Sequence, residues 1–209
     1  MAKVTSRSTT ASKASKSSTR TSGASKSTPA AGRRNGTARL GAIALLKADH
    51  REVEQMFESF EKARGEDRKK NLATRICNAL RVHAQIEEEI FYPAFYEATR
   101  EEELHNEAII EHDGVKKLIA EIESSGPGDD FFDARVKVLS EMVKHHVKEE
   151  EQREGLFEKA RDSDMNLADI GEQLATRKAE LESQPGVLKT VKKLKDAGKG
   201  LVTRLLTDV

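Results

Sequence analysis

The feature that most constrains this chain is an internal repeat of histidine-bearing helical segments. Ile43, Leu46, His50, Val53, Phe57 and Phe60 follow one another at steps of three or four, the spacing of one helix face. Sixty-two residues on, the segment recurs: aligning His50 with His112 pairs Val53 with Val115, Met56 with Leu118, Phe57 with Ile119 and Phe60 with Ile122. A second pair of segments aligns on His83 and His146, 63 residues apart, and matches Ile76 with Leu139, Leu80 with Val143 and Glu87 with Glu150. Two copies of a helical hairpin with apolar faces close most simply into an up-down four-helix bundle, so the expected class is all-α.

Element boundaries follow from local chemistry. The first helix starts near Leu40 and breaks at "ARGED". The second carries Leu72, Ile76, Leu80, His83, Glu87 and Phe91 on one stripe until Pro93 kinks or ends it. The third runs through "LHNEAIIEHDGVKKLIAEIE" to "SSGPGDD", where Gly and Pro stop it and an aspartate can cap the next. The fourth covers roughly Phe131 to Ala160, with a weak point at Gly155 where its end is expected to bulge. A shorter fifth helix, "MNLADIGEQLATRKAELES", precedes a basic amphipathic stretch from Val187 to Leu206. The domain reading is therefore a tail over 1–39, a bundle over 40–162 and a helical extension over 163–209.

The stripe explains where function resides. An i, i+4 spacing sets His83 and Glu87 one turn apart on one face, and His146 and Glu150 repeat it. A single histidine on an apolar face is usually a hydrogen-bonded core residue, and a single glutamate usually leans to water. Here His50, His83, His112 and His146 converge with Glu87 and Glu150 on one interior. Two buried carboxylates without cations would cost several kcal/mol in desolvation, whereas a metal supplies the missing charge. Neutral imidazole suits transition metals and a carboxylate can bridge two of them, giving each metal two imidazoles and a share of two glutamates, with positions left open. The alternative is a buried polar network.

His145 and His146 are adjacent and each has a glutamate four residues later. The stripe Val136, Leu139, Val143 continues to His146 and Glu150 and favours that pair. Tyr92 and Tyr96 could face the cluster, although Phe91, Pro93 and Phe95 around them favour packing at the bundle end. His105 lies two turns from His112, too far for the same metal. Cys77, the sole cysteine, reads as a core thiol and implies no disulfide framework, which makes a reducing cytoplasm the expected location. The runs "EEE" at 87–89, 101–103 and 149–151 read as solvated faces apart from Glu87 and Glu150.

The segments "LLKADHREVEQMF", "HAQIEEEIFYP", "IIEHDGVKKLI" and "HHVKEEEQREGLF" resemble the four motifs of the hemerythrin-like HHE cation-binding family, over about residues 40 to 162. That resemblance implies a hemerythrin-like bundle around two non-haem iron ions, or another divalent metal, that binds dioxygen or another small oxidant, or senses oxygen, iron or redox state. The sequence departs from the oxygen-carrier branch in two places. Lys116 stands where that branch has a second histidine, and Glu150 lies four residues after its histidine where the branch has an aspartate at five. One imidazole fewer favours sensing, looser metal exchange or reaction with peroxide or oxygen over a stable oxygen adduct.

Net charge is zero but segregated. Residues 1–39 hold nine Lys and Arg and no Asp or Glu, and residues 187–209 hold six basic and two acidic residues, so residues 40–186 carry a net charge of −13. The first 39 residues have almost nothing apolar to bury and read as a disordered Ser/Thr/Lys-rich tail without the apolar core of a signal peptide. Its lysines and those of the C-terminal stretch could touch nucleic acid or an anionic surface nonspecifically. No apolar run approaches the ~20 residues of a transmembrane span. Nucleophile dyads, phosphate loops and zinc-finger spacings do not occur. Three functions remain in view: a di-iron binding or sensing protein, a di-iron enzyme with peroxidase-like or oxygen-reducing activity, and a structural or nucleic-acid-associated helical protein.

Overall fold

The helices form where the apolar stripes predict them, and the turns fall at residues that tolerate them. In the computed structural model, residues 41–184 are described. The N-terminal tail over 1–39 and the basic stretch from Val187 to Leu206 lie outside the described residues. Helix α1 (Ala42–Glu61) ends before a turn in which Gly65 takes a φ of 81°, a backbone region open to glycine. Helix α2 (Glu66–Ile86) follows, then α4 (Glu102–Ser124) and α5 (Phe132–Glu151). These four are the up-and-down bundle: α1 packs on α2 and α5, and α4 packs on α5 and α2. Among the described residues no aspartate side chain caps α5: its N-cap is Phe131, and Asp129 Oδ1 instead accepts from the Phe131 amide at 2.8 Å in the turn before it.

Two further expectations are corrected. Pro93 does not end the second helix. Between α2 and α3 (Tyr92–Thr99) the chain makes one π-helical turn, Glu87–Phe91, and continues. Proline lacks the N–H that the carbonyl one turn earlier needs, and widening the preceding turn absorbs the misfit without breaking the rod. The fourth helix does not run to Ala160. It stops at Glu151, turns through Glu154 at a φ of 62°, and resumes as α6 (Leu156–Asp162). Gly155 is required there, because a Cβ on it would collide with the Glu149 carbonyl oxygen and lie 2.9 Å from Gln152 O and 3.0 Å from Glu150 O.

Helix α7 (Leu167–Ser183), the expected fifth helix, is capped by Asn166, whose Oδ1 accepts from the Asp169 amide at 3.2 Å. It buries Ile170, Leu174 and Leu181 against α1 and α2. The apolar core is divided in two. One cluster joins Leu46, Ile86, Phe91, Phe95, Phe157 and Leu174. The other joins Val53, Phe57, Ile76, Leu80, Ile119 and Leu139, and contains Cys77. Each fully buried side chain of this kind contributes roughly 1.5–3 kcal/mol. A polar layer separates the two clusters along α1, α2 and α4, and α5 adds His146 and Glu150 to it beyond its own apolar residues.

Candidate metal centre

The polar layer consists of the six residues that the repeat singles out. His50, His83, Glu87, His112, His146 and Glu150 are all buried, with Glu87 at 0 % and Glu150 at 2 % exposure. Each hairpin contributes one imidazole pair: His50 and His83 bring their Nε2 atoms to 3.0 Å, and His112 and His146 theirs to 3.2 Å. The glutamates lie between the pairs. Glu87 Oε2 is 3.2 Å from His83 Nε2 and 3.4 Å from His112 Nε2. Glu150 Oε2 is 3.3 Å from His50 Nε2 and 3.7 Å from His146 Nε2. Each carboxylate thus spans both halves of the layer.

These residues fit a pair of metal ions. Donor atoms of His50, His83 and Glu87, and of Glu87, His112 and His146, lie within 4.8 Å of one another in each group. Among the described residues Glu87 Oε1 and Glu150 Oε2 are buried carboxylate oxygens with no hydrogen-bond partner, a costly arrangement that a cation bound beside them would relieve. Protons and metal ions compete for the same positions. Burial opposes charge on His50, but the adjoining Glu150 carboxylate and the charges of Glu87 and Glu151 outweigh it and push the imidazole up to about 9. His112 is likewise raised to about 9, its burial outweighed by Glu87, Glu88 and Glu150. Burial would raise the Glu150 carboxyl, yet His146, His50 and His83 hold it well below the usual carboxylate range.

An outer ring of carboxylates faces the remaining ring nitrogens. His50 Nδ1 donates to Glu151 at 2.8 Å, His112 Nδ1 to Glu88 at 2.8 Å and His146 Nδ1 to Glu111 at 2.7 Å. Asp49 Oδ2 stands 3.5 Å from His83 Nδ1. Such partners select the tautomer that offers Nε2 as the ligand and make it more basic. Sequence reading misses this ring, assigning Glu88 and Glu151 to solvated faces. The signal was present in the repeat: Asp49 and Glu111 each precede a matched histidine, and Glu88 and Glu151 each follow a matched glutamate.

Of the two readings open for Tyr92, facing the cluster or packing at the bundle end, the structure shows the first, which the apolar neighbours had disfavoured. It is fully buried, and its hydroxyl donates to Glu150 Oε1 at 3.0 Å. The same oxygen lies 3.2 Å from His112 Nε2 and 3.4 Å from both His146 Nε2 and Glu87 Oε2. Burial, followed by the charges of Glu150 and Glu87, raises its phenol well above the ordinary value. The structure separates the two adjacent histidines: the His146 ring is inside the layer, whereas the His145 side chain is 62 % exposed beside Glu111 and Glu149. Lys116 is also outside, holding the outer carboxylate Glu88 at 2.7 Å. Tyr96 and His105 pack against each other with ring centroids 5.2 Å apart, away from the ligand nitrogens.

On the other side of the layer a cavity of about 20 Å³ opens onto the four imidazoles and Asp49 and is otherwise walled by Val53, Leu80, Ala84, Val115, Val143 and Val147. That is room for about one water-sized molecule. The stacked Phe157 ring, 5.8 Å from His50 and contributed by α6, covers the opposite side.

An all-α up-down bundle with two buried His/Glu groups that could bind metal is the class that this fold and site define. Residues 41–159, more than half of the chain, match the family model of the hemerythrin HHE cation binding domain, and the chain belongs to that family. A relative from Nostoc sp. described as a DNA nickase is 28 % identical over 110 residues, 51 % of this chain but only 30 % of that protein's length. The crystal structure of a hemerythrin HHE cation binding domain-containing protein from Mycobacterium kansasii is similar with a TM-score of 0.55 at 16 % identity, covering 68 % of this chain and 87 % of that one. This likeness shows a shared fold.

Proposed function

We propose that the protein holds two non-haem iron ions and uses them to bind or sense dioxygen, iron or redox state. The observation that carries this reading is a pair of buried carboxylates, Glu87 and Glu150, that each approach an imidazole Nε2 of both halves of the layer and each keep one oxygen without a hydrogen-bond partner among the described residues. His50 and His83 would hold one ion, His112 and His146 the other, and the two glutamates would serve both. Iron bound there would supply exchangeable coordination positions and one-electron chemistry toward a small oxidant.

The chain's own residues set what reaches it. The cavity's volume, about that of one water molecule, limits what reaches the centre from this side to a very small molecule. Glu151, Glu88 and Glu111 hold the imidazoles of His50, His112 and His146 in one orientation. Tyr92 Oη, in contact with Glu150, can hold or deliver a proton at the centre. That hydroxyl favours the second reading, a di-iron enzyme with peroxidase-like or oxygen-reducing activity. Oxidant consumed over many turnovers with iron retained would select the enzyme, and a single stoichiometric response would select the sensor.

A nucleic-acid-associated role rests on the basic ends of the sequence and on the likeness of this region to part of a protein described as a DNA nickase. Salt-sensitive binding to duplex DNA that disappears on deleting residues 1–39 supports it. A cytoplasmic location remains the expectation; none of the described helices is long and apolar enough to cross a membrane. The deciding experiment is the iron-to-protein ratio after anaerobic ferrous loading and desalting. A ratio near two is expected. A ratio near zero, with no other transition metal retained, overturns the proposal and moves the six residues to a packing role.

A further inference from the structure

The outer carboxylate ring repeats with the hairpins, but one of its four links is incomplete. Asp49 and Glu111 occupy matched places, and each faces the Nδ1 of the histidine on its own hairpin's second helix. Glu111 Oε2 reaches His146 at 2.7 Å. Asp49, one methylene shorter, stops 3.5 Å from His83, and both Asp49 Oδ2 and His83 Nδ1 are buried with no hydrogen-bond partner. The other oxygen of Asp49 is committed: Lys178 Nζ donates to Oδ1 at 2.6 Å.

The source of that lysine matters. Glu151 is held by Lys47 and Arg51, Glu88 by Lys116, and Glu111 lies beside His145, all within the region that matches the family. Lys178 comes from α7, beyond residue 159. Its neighbour Arg177 grips Glu89, on the π turn that carries Glu87, at 2.6 and 3.1 Å. Helix α7 therefore touches the polar layer's surroundings at two points, both next to proposed ligands.

We propose that the two metal positions are unequal, with the His50–His83 position the exchangeable one, because Asp49, one methylene shorter than Glu111 and held through its other oxygen by Lys178, does not close on His83. This inference rests on the di-metal reading above. An imidazole whose second nitrogen lacks an acceptor is less firmly oriented and less basic as a ligand, and loss of such an outer partner weakens metal binding about 10- to 100-fold. Lys178 is a positioning residue acting through Asp49, and α7 sets metal exchange at one half of the centre.

The test loads the full chain with ferrous iron anaerobically and follows its release to an excess of chelator. Two phases of equal amplitude, separated about tenfold or more, are expected from the loss of one outer partner. Lys178→Met should slow the fast phase toward the slow one, whereas Lys178→Arg keeps both. Glu111→Asp, which introduces the same shortfall behind His146, should speed the slow phase and leave the fast one unchanged. Release of both irons in one phase, or a fast phase unmoved or accelerated by Lys178→Met, overturns the inequality alone. A protein that retains no iron overturns the di-metal reading on which it rests, so the two failures are distinguishable.

Discussion

Tyr92 follows Glu87 by five residues, yet its hydroxyl lies 3.4 Å from Glu87 Oε2 in the middle of the polar layer. In a regular α-helix the fourth residue on, Phe91, would share that face most closely. The π turn over Glu87–Phe91 adds one residue to the turn and brings Tyr92 beneath Glu87 instead. Phe91 is turned toward Phe157, with ring centroids 5.7 Å apart. A change in helix winding thus replaces an apolar ring with a proton-bearing one at the centre.

Tyr92→Phe is expected to fold and to leave Glu150 Oε1 without its donor. The cost to the metal-free protein should be about 1–3 kcal/mol, that of a buried acceptor left unsatisfied. Urea unfolding of the chelator-stripped variant measures it, and an unchanged midpoint would show that the hydroxyl is not used as a donor there.

His83→Ala and Glu87→Ala should each lose at least one of two metal ions. Glu87 has the larger expected effect because it approaches both His83 and His112. Metal content after desalting checks this, and full two-metal occupancy in both variants would sink the ligand assignment.

Gly155→Ala should destabilise the protein by about 1–3 kcal/mol, the usual cost of forcing a group into occupied space. The clash falls on the carbonyls of Glu149 and Gln152, on either side of Glu150, so metal retention should drop as well. Thermal unfolding with and without iron separates the two effects: a variant with lowered stability but normal iron content would show that Glu150 is held independently of the turn.

Stability and metal affinity should respond to pH in opposite directions. His50 and His112 are raised from 6.5 to about 9, so their contribution to the metal-free protein is complete below pH 6.5 and is lost as pH rises through 9. Glu150 is depressed, so its contribution is present above its ordinary 4.5 and is lost as pH falls further. Metal must displace the imidazole protons, and its apparent affinity should climb over the same 6.5-to-9 window. Unfolding and metal titrations across that window check both slopes; parallel slopes would contradict proton–metal competition.

The sequence by itself determined the helices, the duplication and the six residues of the layer. Side-chain periodicity within a helix is a local property, and His50, His83, Glu87, His112, His146 and Glu150 all sit on stripes that must face inward. The same periodicity separates His146 from His145. It also hid a legible signal, the carboxylates repeated beside the matched histidines and glutamates.

Only the tertiary structure decided the contacts that cross between helices. Which histidine Glu88 or Glu151 backs depends on the axial register of packed helices, and neighbours in that register are far apart in the chain. The entry of Tyr92 required the winding change before Pro93, which a stripe drawn at regular pitch does not contain. Lys178 reaches Asp49 across 129 residues because α7 docks its apolar face on α1, placing a cation on the carboxylate that faces His83 at 3.5 Å.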